Sequence, residues 1–254
     1  MILSKSALIL YILISFTLIS NVIVISDWVG QFLREVEKIP PEKIVRIHYG
    51  LEAAPILEQA DASYVRKKFH IPDEAPVIGT IGRLTEQKGH RYLLEAVKEI
   101  LPEFPELRVL LVGDGELREE LEALVEDLGL TNTIIFAGYR SDAIKLLSGF
   151  DFFVFPSLWE GFGLVLLEAM ALKKAIVASN VSAIPESVRD GETGVLVPDQ
   201  QAGALAEAMR TLLSQPDLAR EMGASGYARL IDEFSVVKMV NSTMSLYHSM
   251  LQQL

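Results

Sequence analysis

Apolar positions along the chain fall into two alternating kinds of run. Short stretches rich in β-branched and aromatic residues recur at 22–25, 44–48, 77–81, 108–112, 133–137, 152–155, 175–178 and 194–197. Several are continuous rather than alternating, as in FFVF and AIVA, which is the pattern of parallel strands covered on both faces. Between them, apolar residues return every three to four positions at 27–38, 88–101, 116–128, 142–149, 164–172, 184–189 and 201–214, which predicts helices. Strand, turn and helix repeat in that order, so the predicted class is α/β, a doubly wound parallel sheet. The tail from 217 onward reads as helix with a break near Phe234-Ser235. Its second part carries a broad apolar face, through Val236, Val237, Val240, Met244, Leu246, Tyr247, Met250 and Leu251, that needs a cover. Pro40-Pro41 and residues 49–55 read as connectors.

The start of the chain departs from this rhythm. Residues 7–25 are nineteen positions without a charge, preceded by Lys5. That length suits a membrane span with a cytoplasmic start. Ser15, Thr17, Ser20 and Asn21 interrupt it, however, and NVIVIS has the look of a core strand, so a buried helix followed by a buried strand is the alternative. No small-residue cleavage site follows, which disfavours a cleaved leader.

Composition narrows the chemistry. The 254 residues carry a net charge of −11, with lysines and arginines scattered singly, so a nucleic-acid binder with a basic stripe is excluded. Cysteine is absent, which removes disulfides and thiolate metal sites and suits a reducing, cytoplasmic setting. The four histidines lie far apart without paired ligand spacing, so no metal is expected.

Three stretches can carry chemistry, each at the predicted carboxyl end of a strand, where ligands of such sheets bind. In VIGTIGRLTEQKGH, Arg83 and Lys88 flank a loop that opens a helix, a fitting place for a diphosphate; alone, the two cations would read as solvated loop residues. In LLVGDGELR, Gly113-Asp114-Gly115 resembles half of a dinucleotide fingerprint. Arg118 occupies the place of the third glycine, and no acidic residue ends the next strand. A plain tight turn fits better than nicotinamide binding. In PSLWEGFGLVLLEAMA, Gly161 and Gly163 permit close backbone approach to a ligand, and Glu160 and Glu168 converge on the mouth of a helix. They would serve as an acid–base pair, as acceptors for hydroxyl groups, or as a dipole-favoured neighbour of the helix start and a surface residue. Glu168 stands alone in the apolar run LVLLEAMAL, which argues for partial burial.

Taken in order, GRLTEQKG, VGDGELR, FAGYR, DFFVFPSLWEGFGLVLLEAMA and ESVRDGETGVLVP resemble the group 1 (family 4-like) retaining glycosyltransferases. The likeness is to the C-terminal, Rossmann-like, nucleotide-sugar-binding half of their GT-B fold, and the E-x7-E element from Glu160 to Glu168 is its most specific part. The resemblance implies a hexosyl-type transfer from a nucleotide-diphospho-sugar to a glycan or lipid-linked acceptor with retention of configuration and no metal or other cofactor. It implies that Arg83 and Lys88 hold the donor diphosphate, that Glu168 accepts from the ribose, and that Glu160 faces the donor sugar. Phe162, Gly163 and Leu164 would approach sugar and phosphates through the backbone, and Tyr139 and Arg140 would lie beside the base.

The expected organisation is a hydrophobic segment with a remnant of an N-terminal domain at 1–50, the nucleotide-sugar domain at 51–234, and a helix at 235–254 that would cross back to the N-terminal domain. Most of that N-terminal domain, which holds the acceptor site in the family, has no counterpart in the sequence. A nucleotide-sugar-binding fragment without transferase activity of its own is therefore the alternative function. Ser182-Ala183 stand where many members have Gly-Gly, which sets that segment apart from a close backbone contact.

Overall fold

The computed structural model describes residues 19–252. Strands β1 (Val22–Val24) and β2 (Ile44–Arg46) pair in parallel as a small separate sheet, joined through helix α1 (Asp27–Glu35). Two short helices, α2 (Ala53–Glu58) and α3 (Tyr64–Phe69), lead to the main body. There β3 (Val77–Ile81), α4 (His90–Ile100), β4 (Arg108–Val112), α5 (Arg118–Asp127), β5 (Ile134–Gly138), α6 (Ala143–Ser148) and β6 (Phe152–Phe155) follow in turn. The chain continues through α7 (Leu164–Ala171), β7 (Ala175–Ser179), α8 (Ile184–Ser187), β8 (Gly194–Val197), α9 (Ala202–Ser214), α10 (Pro216–Glu233) and α11 (Val236–Leu251). The six strands β3 to β8 form one parallel sheet in the order β5-β4-β3-β6-β7-β8.

Continuous apolar strands are what a sheet with two covered faces requires, and the residues divide accordingly. Ile78, Val109, Leu111, Phe152, Val154 and Val177 point into a core shared with α4, α5 and α9. Their neighbours Val77, Leu110, Val112, Phe153, Phe155 and Ile176 point into the opposite core, shared with α6, α7 and Leu230 of α10. Helix α7 shows the same logic in a helix. Leu166, Leu167, Ala169, Met170 and Ala171 are all buried, so it sits inside the molecule and not on its surface.

The sheet bears out the expected class, and the strand bounds agree with the apolar runs to within two residues. The connector read at 49–55 instead contains the start of α2, and α3 was not foreseen. Helix α1 stops at Glu35, short of the expected Lys38, which takes a left-handed conformation (φ 58°). Of the uncharged run 7–25, residues 7–18 lie outside the described residues. Val22–Val24 is strand β1, as in the buried-strand alternative, although Ile23 is 41% exposed. No helix among the described residues is long and apolar enough to cross a membrane.

The tail breaks at the expected place, with Phe234 and Ser235 between α10 and α11. Leu51 donates its amide to Phe234 O at 2.8 Å, so the linker after β2 is tied to this break. No residue of α11 is buried, and Val237, Val240, Met244, Tyr247 and Leu251 are exposed, as the bare apolar face predicted.

Strand order places a switch point between β3 and β6. From β3 the chain proceeds outward to β4, and from β6 it proceeds the other way to β7. The chain leaves these two strands in opposite directions, and a crevice opens at their carboxyl ends.

Candidate functional site

The loops after β3 and β6 form the centre of that crevice, and their backbones lock together. Leu158 donates its amide to Gln87 O at 2.8 Å, and Gln87 Nε2 donates to Trp159 O at 2.9 Å. Gly89 closes the lock at φ 61°, where a Cβ would lie 2.1 Å from Pro156 O, so both the conformation and the space demand glycine. The lock brings Lys88 against Glu160. Lys88 Nζ donates to Glu160 Oε2 at 2.5 Å and lies 4.9 Å above the Phe155 ring, while Glu160 Oε1 accepts from Gly161 N at 3.2 Å. Both side chains are largely shielded, at 17% and 14% exposure, which strengthens the pair relative to a surface bridge.

Two adjoining hollows flank the end of β3, and Ile81 and Gly82 border both. The first, of about 370 Å³, is lined by Lys88, Glu160, Phe162, Gly163 and Leu164, together with Tyr49. Helix α7 begins at its edge. Gly163 is the N-cap at φ 84° and no side chain caps the first turn, so amide donors remain at that end. The second hollow, of about 270 Å³, is lined by Arg83, Tyr139 and Arg140, with Gly113 and Asp114.

The expected site residues thus divide into neighbouring groups. Arg83 and Lys88 do not share one hollow. Arg83 is exposed and makes no ion pair among the described residues, whereas Lys88 is already engaged by Glu160. Tyr139 is 84% exposed. Arg140 is turned onto Asp142, donating Nε to Oδ1 at 2.7 Å and Nη2 to Oδ2 at 2.5 Å, and Tyr64 donates its hydroxyl to Asp142 Oδ2 at 2.6 Å. The Arg140 fork holds the Asp142 carboxyl well below the usual carboxylate range. Glu168 lines neither hollow. It is half-buried on α7, its side chain makes no hydrogen bond among the described residues, and burial pushes its carboxyl up. Phe162 offers only backbone, since its ring is buried against His48, Tyr49 and Phe234.

The Gly113-Asp114-Gly115 stretch, expected as a tight turn, is instead extended loop: Gly113 forms a bridge with Gly138, and the turn follows at 116–117. Leu84 N donates to Asp114 O at 3.0 Å and Leu117 N to Leu84 O at 2.9 Å, so it packs backbone to backbone on the loop after β3. Gly113 holds φ 141°, and a Cβ there would meet Gly82 O at 1.9 Å.

Several residues that shape this crevice carried no signal in the sequence. Ser26, fully buried, donates Oγ to Gly161 O at 2.8 Å and accepts from Val29 N at 3.1 Å, so one hydroxyl caps α1 and holds the turn beside Glu160. Glu186 accepts from Asp27 N at 2.7 Å and Trp28 N at 2.9 Å, fastening the start of α1 to α8. His48 Nε2 lies 3.3 Å from the same carboxylate; burial foremost, then Arg46, pushes its pKa down. Ser182 adopts the left-handed conformation that a glycine would favour (φ 52°), and Ala183 N donates to Glu160 O at 3.3 Å. A serine before an acidic residue at a helix start was readable as an N-cap; the contacts of Ser26 with Gly161 and of Glu186 with Asp27, Trp28 and His48 span more than a hundred positions. Among the described residues, no group of three or more metal-ligating side chains comes together.

Comparison with known proteins bears on the family and the fold. The family description "Glycosyl transferases group 1" matches residues 61–229. Alpha-maltose-1-phosphate synthase of Mycolicibacterium smegmatis is 34% identical over 85% of this chain, and the chain spans 59% of that relative. Alpha-D-kanosaminyltransferase of Streptomyces kanamyceticus is 28% identical over 79% of the chain, which spans 53% of it. Among solved structures, a glycosyltransferase from Rickettsia africae superposes with a TM-score of 0.86 at 27% identity, covering 98% of this chain and 68% of its own. Anabaena HepE, solved with UDP and glucose, superposes with the same TM-score at 24% identity over 97% of this chain and 68% of its own, a likeness of fold. The chain spans a little over half the length of these curated relatives, and by the extent of the family match it belongs to the group 1 glycosyltransferases.

Proposed function

We propose that this chain carries the donor site of a retaining glycosyl transfer from a nucleotide-diphospho-sugar. The observation that supports this best is the hollow of about 370 Å³ in which Lys88, Glu160 and the uncapped start of α7 meet. Free amide donors and the helix dipole favour an anion there, and Lys88 adds a charge that neutralises it. Arg83, which makes no ion pair among the described residues, supplies a second cation from the adjoining hollow across Gly82.

A diphosphate entering between the hollows would draw Lys88 from Glu160. The freed carboxylate then accepts from a sugar hydroxyl. The partnering of Lys88 and Glu160 before binding keeps either charge from standing alone in a shielded place. As the bond from the anomeric carbon to the diphosphate oxygen breaks, charge builds on the leaving group, and Arg83, Lys88 and the α7 amides stabilise it. Attack of the acceptor from the same face, assisted by the departing diphosphate, retains configuration. Glu168, half-buried without a partner, takes the ribose hydroxyls as hydrogen-bond donors, and the base rests beside Tyr139 and Arg140. No metal takes part in this scheme. The acceptor is a glycan or lipid-linked saccharide, which sets the work at the cytoplasmic side, in solution or at a membrane surface.

Calorimetric titration with UDP, GDP, ADP and NADH tests the reading. One nucleoside diphosphate should bind clearly more tightly than NADH; preference for NADH would overturn it. A second reading rests on the same hollow: a donor-binding unit that transfers sugar only with further structure. Rapid transfer by the purified 254-residue chain to water or simple acceptors would sink that second reading.

A further inference from the structure

The locked loops after β3 and β6 have a second side. Behind them lies a separate hollow of about 630 Å³, lined by Thr85, His90, Tyr92, Glu120, Trp159 and Gln200 among others. Lys88 and Glu160 line the donor hollow, which shares no lining residue with this one, and Gln87, next to Lys88 in the chain, is bonded to the Trp159 carbonyl. We propose that this rear hollow is a saccharide-binding site, distinct from the donor site, that holds a short neutral glycan.

Its chemistry selects that class. Trp159 is a large aromatic side chain left 46% exposed beside the hollow, although its backbone is held by Gln87. A flat ring of this kind packs against the C–H face of a pyranose, burying apolar area on one side while hydroxyl groups stay at the rim. Tyr92 stands in the same wall with its hydroxyl on Gln200 Oε1 at 3.2 Å, so an amide and a phenol are already ordered there. Glu120 supplies a carboxylate that accepts from hydroxyl groups, and Arg91, the cation at this rim, is committed to it at 3.7 Å. With Glu86 also on the rim, the balance is acidic, which turns away phosphates and favours a neutral polyol. Size agrees, since pockets of roughly 300–1,000 Å³ take ligands of two or three rings.

Rigidity completes the case. The Gln87–Trp159 bond and the Gly89–Pro156 contact hold the platform in place before anything binds, which lowers the ordering cost of a weak polar ligand.

The chain has two tryptophans, so Trp28→Phe leaves Trp159 as the sole strong emitter. That protein would be titrated with maltotriose, cellotriose and triacetylchitotriose, with and without saturating UDP. Emission should shift to the blue and saturate with at least one trisaccharide, whether or not UDP is present. Calorimetry on the otherwise wild-type chain should show Trp159→Ala and Glu120→Gln each weakening that saccharide by about tenfold, the loss of one good contact. UDP affinity should stay unchanged in both, which separates this site from the donor reading. Three results would overturn the proposal: flat emission with all three sugars, a shift abolished by UDP, or full saccharide affinity in both variants. Should UDP fail to bind at all, the saccharide arm is still decided on its own.

Discussion

Lys88 has two partners, the Glu160 carboxylate and the face of Phe155, and both keep its ammonium at the mouth of the crevice. Removing it therefore leaves a shielded carboxylate alone and deprives a diphosphate of its counter-charge. Lys88→Ala should weaken binding of a nucleoside diphosphate by about 1.5–3 kcal/mol and leave the free nucleoside nearly untouched. Equal losses measured by calorimetry for both ligands would take Lys88 out of the phosphate site. Glu168 calls for the complementary measurement. Glu168→Ala should cost about 1–3 kcal/mol of nucleotide affinity, and unchanged affinity would end its assignment to the ribose. His90 reports on folding. Burial foremost, with help from Lys88, pushes its imidazole down to about 4 from the usual 6.5. Above pH 6.5 both folded and unfolded chains hold it neutral. As pH falls from 6.5 to 4, the unfolded chain takes up a proton that the folded chain refuses, so stability drops by about 3 kcal/mol across that window. Urea midpoints measured over the window should slope in the wild type and slope clearly less in His90→Gln, with His48 supplying part of the remainder; the same slope in both would place the proton elsewhere.

At the scale of elements, the unit β1-α1 is attached to the crevice by a few polar contacts. Ser26 at the end of β1 holds Gly161, and Glu186 of α8 holds the first amides of α1. Ala183, just before α8, holds the Glu160 carbonyl. The turn between Glu160 and Gly163 is thus gripped from two elements at once. Around it His48, Phe162 and Phe234 pack ring against ring, with centroids 5.3–5.8 Å apart, so the linker, the turn and the end of α10 form one cluster. Ser26→Ala removes an N-cap and a donor to Gly161 together. It should lower stability by about 1–2 kcal/mol and also weaken nucleotide diphosphate binding, because the turn is no longer fixed. Ser26→Thr, which keeps the hydroxyl, should recover the affinity. If the alanine variant loses stability alone and its nucleotide affinity is that of the wild type, the contact is structural only.

At the scale of the whole molecule, the six-stranded body was legible because both of its faces are covered. Runs such as FFVF and AIVA can be read as strands wherever every position is apolar, and the loops that follow them then locate the crevice. What escaped has physical causes. Helices α2 and α3 are six residues each, less than two turns, too short for a period to show. The pairing of Lys88 with Glu160 and the hold of Ser26 on Gly161 join positions 72 and 135 apart, and no local pattern records them. Arg140 shows the reverse case. Its partner Asp142 is two residues away, but only the folded loop decides that the guanidinium turns to it and not to a ligand.

The small sheet has a further consequence for timing. Its ladder is three residue pairs long, whereas β3 is flanked by strands on both sides and buried on both faces. Amide protons of the two sheets should therefore exchange with solvent at very different rates, since short, half-covered ladders open locally and central strands exchange only on global unfolding. Mass spectrometry of deuterium uptake should find peptides over 22–24 labelled well before those over 77–81 and 152–155; simultaneous labelling would mean that the two sheets open as one. Because Ser26 lies two residues beyond this ladder, each local opening should also release the Gly161 carbonyl, and the lifetime of that opening sets how long the turn after Glu160 goes without its hydroxyl partner.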